Sequence, residues 1–337
     1  MINILRSIFI FTVMHSMKLM LILVNFVKVY QNDYEKNITS YYNTSEWNEK
    51  SAMGFRKSWL LLLIRSLHFK INTLILPNEN KMVDINTNLG TVISFPVMSS
   101  SVLSHVYQGS PEFDTSQILS EQLNLGDVVL DLGAYYGYFT ILMSQLVGDK
   151  GKVFSFEPTK ESFQLLKKNI AEFKNIRCYN LGLYSIEKAM YFNNFGTNYN
   201  SFNSLYSARL NEELKSRKVL TNFIKLDNFI TKENINPSFI KIDCESSEIE
   251  ILKGTESFIR YQRPMLLIEF GDTINKNHLQ QTKSVHNYLL NRSYVCYRRY
   301  REGYKKIGLE NFYPYFNPLF IPNEKKENFE CNNKIII

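Results

Sequence analysis

Apolar and polar positions alternate in blocks along the second half of the chain, and the block lengths predict the elements. Residues 127–133, DVVLDLG, form a short apolar run ending in Asp and Gly, the signature of a strand buried on both faces. Residues 138–148, YFTILMSQLVG, carry apolar positions at helical spacing and end on a glycine that suits a helix stop. KVFSFEP (152–158) reads as a strand closed by Glu157 and Pro158. Phe163, Leu166, Ile170 and Phe173 then recur at steps of three and four, predicting a helix with the proline in its first turn. NIRCYN (175–180), FIKID (239–243) and PMLLIEF (264–270) supply three more strands. Strands alternating with helices predict an α/β fold whose parallel sheet is covered on both faces.

The pattern is less regular outside this stretch. Residues 189–207 are dense in Asn and aromatics and read as a strand followed by a loop. YVCYRRYREGYKK (294–306) and NPLFIP (317–322) predict two further strands at the far edge of the sheet. INTNLGTVISF (85–95) has turn residues at Asn88–Gly90 that predict a hairpin. Residues 1–70 hold nine Lys/Arg against four Asp/Glu and two apolar blocks, 8–27 and 59–69. The first block is long enough to span a membrane, but His15 and Lys18 lie in its middle, where a charge costs about 2.5–3.5 kcal/mol. Arg6, Ser7, His15, Lys18, Asn25 and Lys28 fall on one half of a helical wheel, so the segment reads as an amphipathic helix. Such a helix packs on protein or lies on a bilayer surface. No Ala or Gly precedes Ala52, so no signal-peptide cleavage site is expected. The expected organisation is an N-terminal helical extension over 1–80, a hairpin and helix over 81–125, the core over 126–325 and a tail over 326–337.

Composition adds little to this picture. The 337 residues carry a formal charge of +7 and four cysteines, Cys178, Cys244, Cys296 and Cys331, far apart and without a CxxC pair. This spacing argues against a zinc knuckle, and a reducing, cytoplasmic setting is the expectation. Peripheral contact with a membrane through residues 1–30 stays open. The basic run RRYREGYKK (298–306) has no N/D-P-P-Y or Pro-Cys motif beside it, so an exposed hairpin is expected there and no nucleic-acid partner.

Candidate chemistry begins at VLDLGAYYGYFT (129–140). A strand ends in Asp131, Gly133 permits a tight turn, and Gly137 lets backbone approach a ligand where the helix begins. The glycines are spaced GxxxG, which fits a dinucleotide fingerprint poorly. Asp-x-Gly-x-x-x-Gly suits S-adenosylmethionine, whose amine Asp131 can meet while helix N–H groups face the carboxylate. Twenty-six residues on, Glu157 ends the next strand, where an acid would accept both ribose hydroxyls. The plain alternatives are a turn former for Asp131 and a helix cap for Glu157.

With these motifs in order, the chain resembles the FkbM-type S-adenosylmethionine-dependent methyltransferases. The resemblance covers about residues 106–322 and rests on GDVVLDLGAYYGYFT (126–140), GKVFSFEP (151–158), NSL (203–205), LDNF (226–229), FIKIDCESSEIEILKG (239–254) and RPMLLIEF (263–270). It implies a Rossmann-like, seven-stranded class I methyltransferase sheet and S-adenosylmethionine as methyl donor. The acceptor it implies is a hydroxyl of a saccharide, glycolipid or related metabolite. Two positions depart from the family: Tyr135 stands where Asn or another small polar residue is common, and Ser246 where Gly follows the Glu. The cofactor set expected here is Asp131, Gly133, Ala134, Gly137, Glu157, Pro158 and Asn180.

Ligands of open parallel sheets sit outside the carboxyl ends of the strands. Asp243 and Glu269 occupy those ends of the fourth and fifth strands, so Asp243 is expected to face the methyl group as general base or orienting group. Glu245 follows at the start of the next helix, with site and capping roles both open. Glu248 is expected at the substrate rim or in a structural role, and Glu250 in solvent. Asp243, Glu245 and Glu269 have the oxygen chemistry to gather Mg2+, but metal-free transfer is the expectation. Asn198, Asn200, Asn203 and Ser204, with Tyr199 and Phe202, make a polar and aromatic lip suited to a sugar; Asn203 and Ser204 are the substrate-binding candidates. Asp227 is read as ending a strand, with helix capping equally open. His278 is expected in a loop after the fifth strand. The competing functions are a nucleic-acid methyltransferase and a non-catalytic module that binds the cofactor or a glycan.

Overall fold

The computed structural model describes residues 82–87, 89–96, 112–196, 203–206, 215–270, 276–310 and 316–336. The apolar segment 8–27, the block 59–69 and most of the polar lip lie outside these residues. The described parts of Ser66–Ile85 and Val92–Ile337 belong to one compact unit, and the turn Asn86–Thr91 to another. Among the described residues no helix is long and apolar enough to cross a membrane.

The expected hairpin is present as β1 (Met82–Asn86) and β2 (Val92–Pro96), which form a two-stranded sheet. Helix α1 (Phe113–Gln122) leads into the core. There, β3 (Val128–Leu132), α2 (Tyr138–Val147), β4 (Lys152–Phe156), α3 (Lys160–Asn169) and β5 (Ile176–Tyr179) follow the predicted alternation. Gly148 ends α2 at φ +66°, the backbone conformation that makes glycine the usual helix stop.

A second, three-stranded sheet of β6 (Gly182–Leu183), β7 (Lys188–Asn194) and β8 (Arg217–Ile224), in the order β6-β8-β7, follows. Helix α4 (Leu226–Glu233) comes directly after β8, so Asp227 lies in the first turn of a helix and not at the end of a strand. The main sheet then resumes with β9 (Phe239–Ile242), α5 (Glu248–Lys253), α6 (Glu256–Tyr261), β10 (Met265–Ile268) and α7 (Lys276–Leu290). His278 falls within α7, against the expectation of a loop. The chain ends with β11 (Tyr294–Tyr300), β12 (Gly303–Ile307), β13 (Leu319–Pro322), α8 (Lys326–Asn332) and β14 (Ile335–Ile336).

The main sheet has the order β14-β12-β11-β13-β10-β9-β3-β4-β5. Strands β5, β4, β3, β9 and β10 are parallel neighbours, while β13 runs antiparallel to β10 and β11 antiparallel to β13. These seven strands match in number the sheet expected from the resemblance, and β12 and β14 extend its edge. Two expectations change here. Strand β13 is inserted between β10 and β11 and does not lie at the far edge, and residues 326–336, expected as a tail, supply a helix and the edge strand. The hairpin of β11 and β12 is also less exposed than expected. Arg299 is 9% exposed and forms a two-pronged ion pair with Glu121 of α1, at 2.7 and 3.1 Å.

The core explains why the strands read as unbroken apolar runs. Leu130, Leu132, Ile240, Ile242, Leu266 and Ile268 are fully or almost fully buried in one cluster with Leu252 of α5 and Leu289 of α7. Strand order reverses direction at the β3–β9 seam: β4 and β5 lie on one side and β10 on the other. A crevice at the carboxyl ends of these two strands is where such sheets bind ligands.

Candidate active site

Register brings the first two site residues together. Asp131 of β3 and Lys241 of β9 are direct partners across the parallel seam, so their side chains leave the same face of the sheet. Asp243 lies two residues beyond Lys241, on that same face. Lys241 is 3% exposed, and its Nζ lies 2.9 Å from Asp243 Oδ2 and 3.9 Å from Asp131 Oδ1. The Phe139 ring sits against it at 4.9 Å. Burial by itself would lower the lysine pKa, but the carboxylates of Asp243, Asp131 and Glu112 outweigh it and hold the pKa above the ordinary value. Lys241 is thus a fixed cation shared by three acids.

Asp131 is fully buried. Its Oδ2 accepts a 2.6 Å hydrogen bond from Thr140 Oγ1 of α2, whereas its buried Oδ1 has no hydrogen-bond partner. Burial pushes the carboxyl pKa up, and Lys241 and Thr140 pull it back only in part. A buried acceptor without a hydrogen bond at a strand end is a place for a ligand donor. The ammonium group of S-adenosylmethionine has the required chemistry, so this residue fits the cofactor.

The β3–α2 turn is shaped for close approach. Gly133 has φ +85°, and a Cβ there would stand 1.8 Å from the Asp243 carbonyl oxygen. Only glycine lets the two strand ends meet this closely. Gly133 and Ala134 both donate backbone N–H bonds to Phe156 O, at 3.0 and 2.9 Å. Gly137 begins α2 at φ +96°, and its missing Cβ makes room for Leu166 of α3.

Glu157, just past β4, is 5% exposed. Its Oε2 accepts from Tyr135 N at 3.0 Å and its Oε1 from Thr159 N at 2.8 Å. Burial raises its pKa to about 7 in spite of these two amides. Each oxygen retains lone-pair capacity for a ribose hydroxyl. Asn180 Nδ2 donates to the carbonyls of Glu157 and Pro158, at 2.9 and 3.0 Å, so it braces this turn from behind.

At the ends of β9 and β10, Asp243, Glu245 and Glu269 each bring a carboxylate oxygen to within 4.8 Å of the others. These three acids are close enough to share a hard cation. Glu248 has turned back onto its own loop, where Oε1 accepts from Cys244 N at 3.3 Å and Ser246 N at 3.1 Å. Its structural role is therefore visible. Glu250, expected in solvent, is instead paired with Lys253 at 2.6 Å and with the Ser185 hydroxyl, and its side chain is only 18% exposed. Asn203 accepts from Phe195 N at 2.8 Å and donates to Thr159 Oγ1 at 3.3 Å, tying the lip to the Glu157 turn. Ser204 Oγ donates to Tyr206 O at 2.9 Å. Asp227 caps a helix, but not its own: its two oxygens accept from Ser257 N and Phe258 N of α6, both at 2.9 Å.

Sequence reasoning missed Lys241, Thr140 and Glu112. Lys241 had a signal, since a lysine inside an apolar strand buried on both faces needs a partner. Glu112 had none; it arrives from the start of α1. Strain also gathers at this rim, where Glu112, Tyr135, Glu245 and Ser246 all have positive φ, at 47°, 50°, 45° and 74°. The two departures from the family, Tyr135 and Ser246, therefore sit where Asn and Gly are easiest to accommodate.

Comparison with known proteins bears on the same residues. The methyltransferase FkbM domain model matches residues 131–296. No curated protein sequence matches the chain. The crystal structure of methyltransferase FkbM from Methylobacillus flagellatus KT is similar over 66% of this chain at 18% identity and TM-score 0.41. The chain spans about half of that protein, 54%. Fibrillarin from Aeropyrum pernix, with S-adenosyl-L-methionine natively bound, is similar over 61% of this chain and 73% of its own, at 10% identity and TM-score 0.37. A SAM-dependent methyltransferase from Aquifex aeolicus matches over 62% and 89%, at 14% identity and TM-score 0.34. Residues 131–296, which include every strand-end acid of the site from Asp131 to Glu269, are thus the part of the chain that matches the methyltransferase FkbM domain.

Proposed function

We propose that this protein transfers the methyl group of S-adenosylmethionine to a hydroxyl of a saccharide, glycolipid or related metabolite. The observation that carries the reading is the Asp131–Lys241–Asp243 chain of charges across the β3–β9 seam. Asp131, whose Oδ1 has no hydrogen-bond partner, is taken as the donor side in this reading, and Asp243 stands one strand away beside Glu245 and Glu269.

S-adenosylmethionine supplies an activated methyl group on a sulfonium. Asp131 binds its amine, Glu157 accepts from the ribose hydroxyls, and the Gly133–Gly137 turn gives the methionine end room. Asp243 accepts a hydrogen bond from the acceptor hydroxyl and aims its oxygen at the methyl carbon. Such displacement needs little more than alignment and a site for the released proton. The surplus of carboxylates suits a neutral, hydroxyl-rich acceptor and repels a phosphate backbone, which favours a saccharide over a nucleic acid.

The test has two stages. Calorimetric titration with S-adenosylmethionine and S-adenosylhomocysteine should give micromolar binding. Incubation of methyl-labelled S-adenosylmethionine with a panel of methyl glycosides and glycolipids should then yield a labelled ether. Asp243→Ala should keep cofactor affinity and abolish transfer. Cofactor binding with label on no hydroxyl acceptor would overturn the assignment of the acceptor. No binding at millimolar ligand would overturn the donor as well.

A further inference from the structure

Methylation of a hydroxyl releases a proton, and Asp243 is poorly suited to take it. Lys241 Nζ donates to its Oδ2 at 2.9 Å from a buried position. That oxygen is already occupied by the lysine's hydrogen bond and is not free to receive the proton. Glu112, which precedes the first residue of α1, stands differently. Its Oε2 takes two hydrogen bonds, from Thr115 Oγ1 at 3.0 Å and from Asn317 Nδ2 at 2.6 Å. Among the described residues no hydrogen bond reaches its Oε1. The charges that act on it are Asp243 and Lys241, both from the end of β9. Burial and then Asp243 push its pKa above the ordinary glutamate value, and Lys241, Thr115 and Asn317 offset this only in part.

Asn317 precedes β13, which is antiparallel to β10, so it arrives at the same rim as Glu269. The residue is 9% exposed, and its Oδ1 is buried without a hydrogen-bond partner. A ligand hydroxyl beside Glu112 would supply that partner. Glu112 also holds a left-handed backbone conformation, φ 47°, a strain that tends to persist where a side chain must be aimed.

We propose that Glu112 Oε1 takes the proton from the acceptor hydroxyl while Asp243, fixed by its hydrogen bond from Lys241, orients that hydroxyl. This rests on the methyl-transfer reading above. The oxygen–methyl bond forms as the methyl–sulfur bond breaks, the sulfonium becomes a neutral thioether, and the hydroxyl proton passes to the Glu112 carboxylate. Bulk water then removes it. The two acids thus divide the work, Asp243 held in place by the Lys241 ammonium and Glu112 with its proton affinity raised by burial.

The experiment compares wild type, Glu112→Gln, Glu112→Asp and Asp243→Asn. Each is titrated with S-adenosylhomocysteine and assayed for methyl transfer to methyl glycosides across pH. Glu112→Gln should bind S-adenosylhomocysteine within about twofold of wild type. It should lose roughly 10²–10⁴-fold in kcat, together with the fall in rate on the acid side. Glu112→Asp should restore part of kcat and that acid limb, and Asp243→Asn should raise KM and move the limb to lower pH without abolishing it. A limb that survives Glu112→Gln, or one that vanishes in Asp243→Asn alone, would overturn the proposal. Where wild type binds the cofactor product but methylates no glycoside, the acceptor assignment fails by itself. Glu112 is then judged by carbon-13 titration of its carboxyl: a pKa above the ordinary range that moves in Asp243→Asn supports the proposal, and an ordinary pKa overturns it.

Discussion

Lys241→Met removes the buried cation at the seam while leaving a side chain of similar length against Phe139. The lysine is 3% exposed, Asp131 is fully buried, and Asp243 retains 23% side-chain exposure. Removing one partner of a buried ion pair costs about 3–5 kcal/mol, because the other charge is left uncompensated. Water can reach Asp243 and carry part of that cost, so about 3 kcal/mol is the expectation near neutral pH. At about 2–4 °C per kcal/mol for a domain of this size, the midpoint should fall by roughly 6–12 °C. Urea unfolding without ligand measures the free energy, and a thermal scan checks the midpoint.

The pH dependence adds a sign that generic destabilisation does not have. Lys241 titrates in the folded state above its ordinary value of 10.5. Its contribution is therefore fully present below 10.5 and is lost only as pH rises through the higher folded value. The gap between wild type and variant should stay level between about pH 7 and 9 and close in stronger alkali. Toward about pH 5 it should also narrow, because the orphaned carboxylates of the variant take up protons. A gap under about 1 kcal/mol at pH 7, or one unchanged down to about pH 5, would refute the shared-cation account.

Three further outcomes are expected. Glu157, with its pKa near 7, accepts ribose hydroxyls best when ionised. Affinity for S-adenosylhomocysteine should therefore rise with pH through about 7, and Glu157→Ala should weaken binding by about 1.5–3 kcal/mol and flatten that dependence; calorimetry that finds wild-type affinity would put the ribose contact elsewhere. Asp227→Ala removes both hydrogen bonds to the first turn of α6 and should cost about 1 kcal/mol in urea unfolding, with cofactor affinity unchanged; lost affinity would assign Asp227 to the site. Ser246→Gly, at φ 74°, should stabilise by about 0.5–1 kcal/mol as the left-handed strain is relieved, and a loss in the same measurement would mean the buried serine side chain contributes more than its backbone costs.

What could be read from the sequence follows the physics of each element. Strands β3, β4, β9 and β10 are buried on both faces, so each appears as an apolar run with a polar residue at its exit, and all four were legible together with their terminal acids. Strand β8 is different. In RKVLTNFI only Thr221 and Phe223 are buried, so it carries no such run. Its order depends on pairing with β7 from Lys188 to Asn194, a partnership no local pattern encodes. The insertion of β13 between β10 and β11 is of the same kind: NPLFIP identifies a strand but not its neighbours.

The site divides along the same line. Asp131, Glu157, Asp243 and Glu269 were legible because a strand exit is a local feature and the sheet's topology turns all exits to one rim. Their relationships were not legible, since these depend on register. Asp131 meets Lys241 only because β3 and β9 pair with those two residues opposite each other; a slip of one residue would put the lysine on the other face. Glu112 lies further from view still. It is nineteen residues before Asp131, outside every strand-end motif, and is pinned by an asparagine about two hundred residues later. A side chain brought from that distance to the one rim where acids already crowd is held there against electrostatic repulsion. The hydrogen bonds from Thr115 and Asn317 supply the restraint, and both go to Oε2, which leaves the other oxygen for the acceptor.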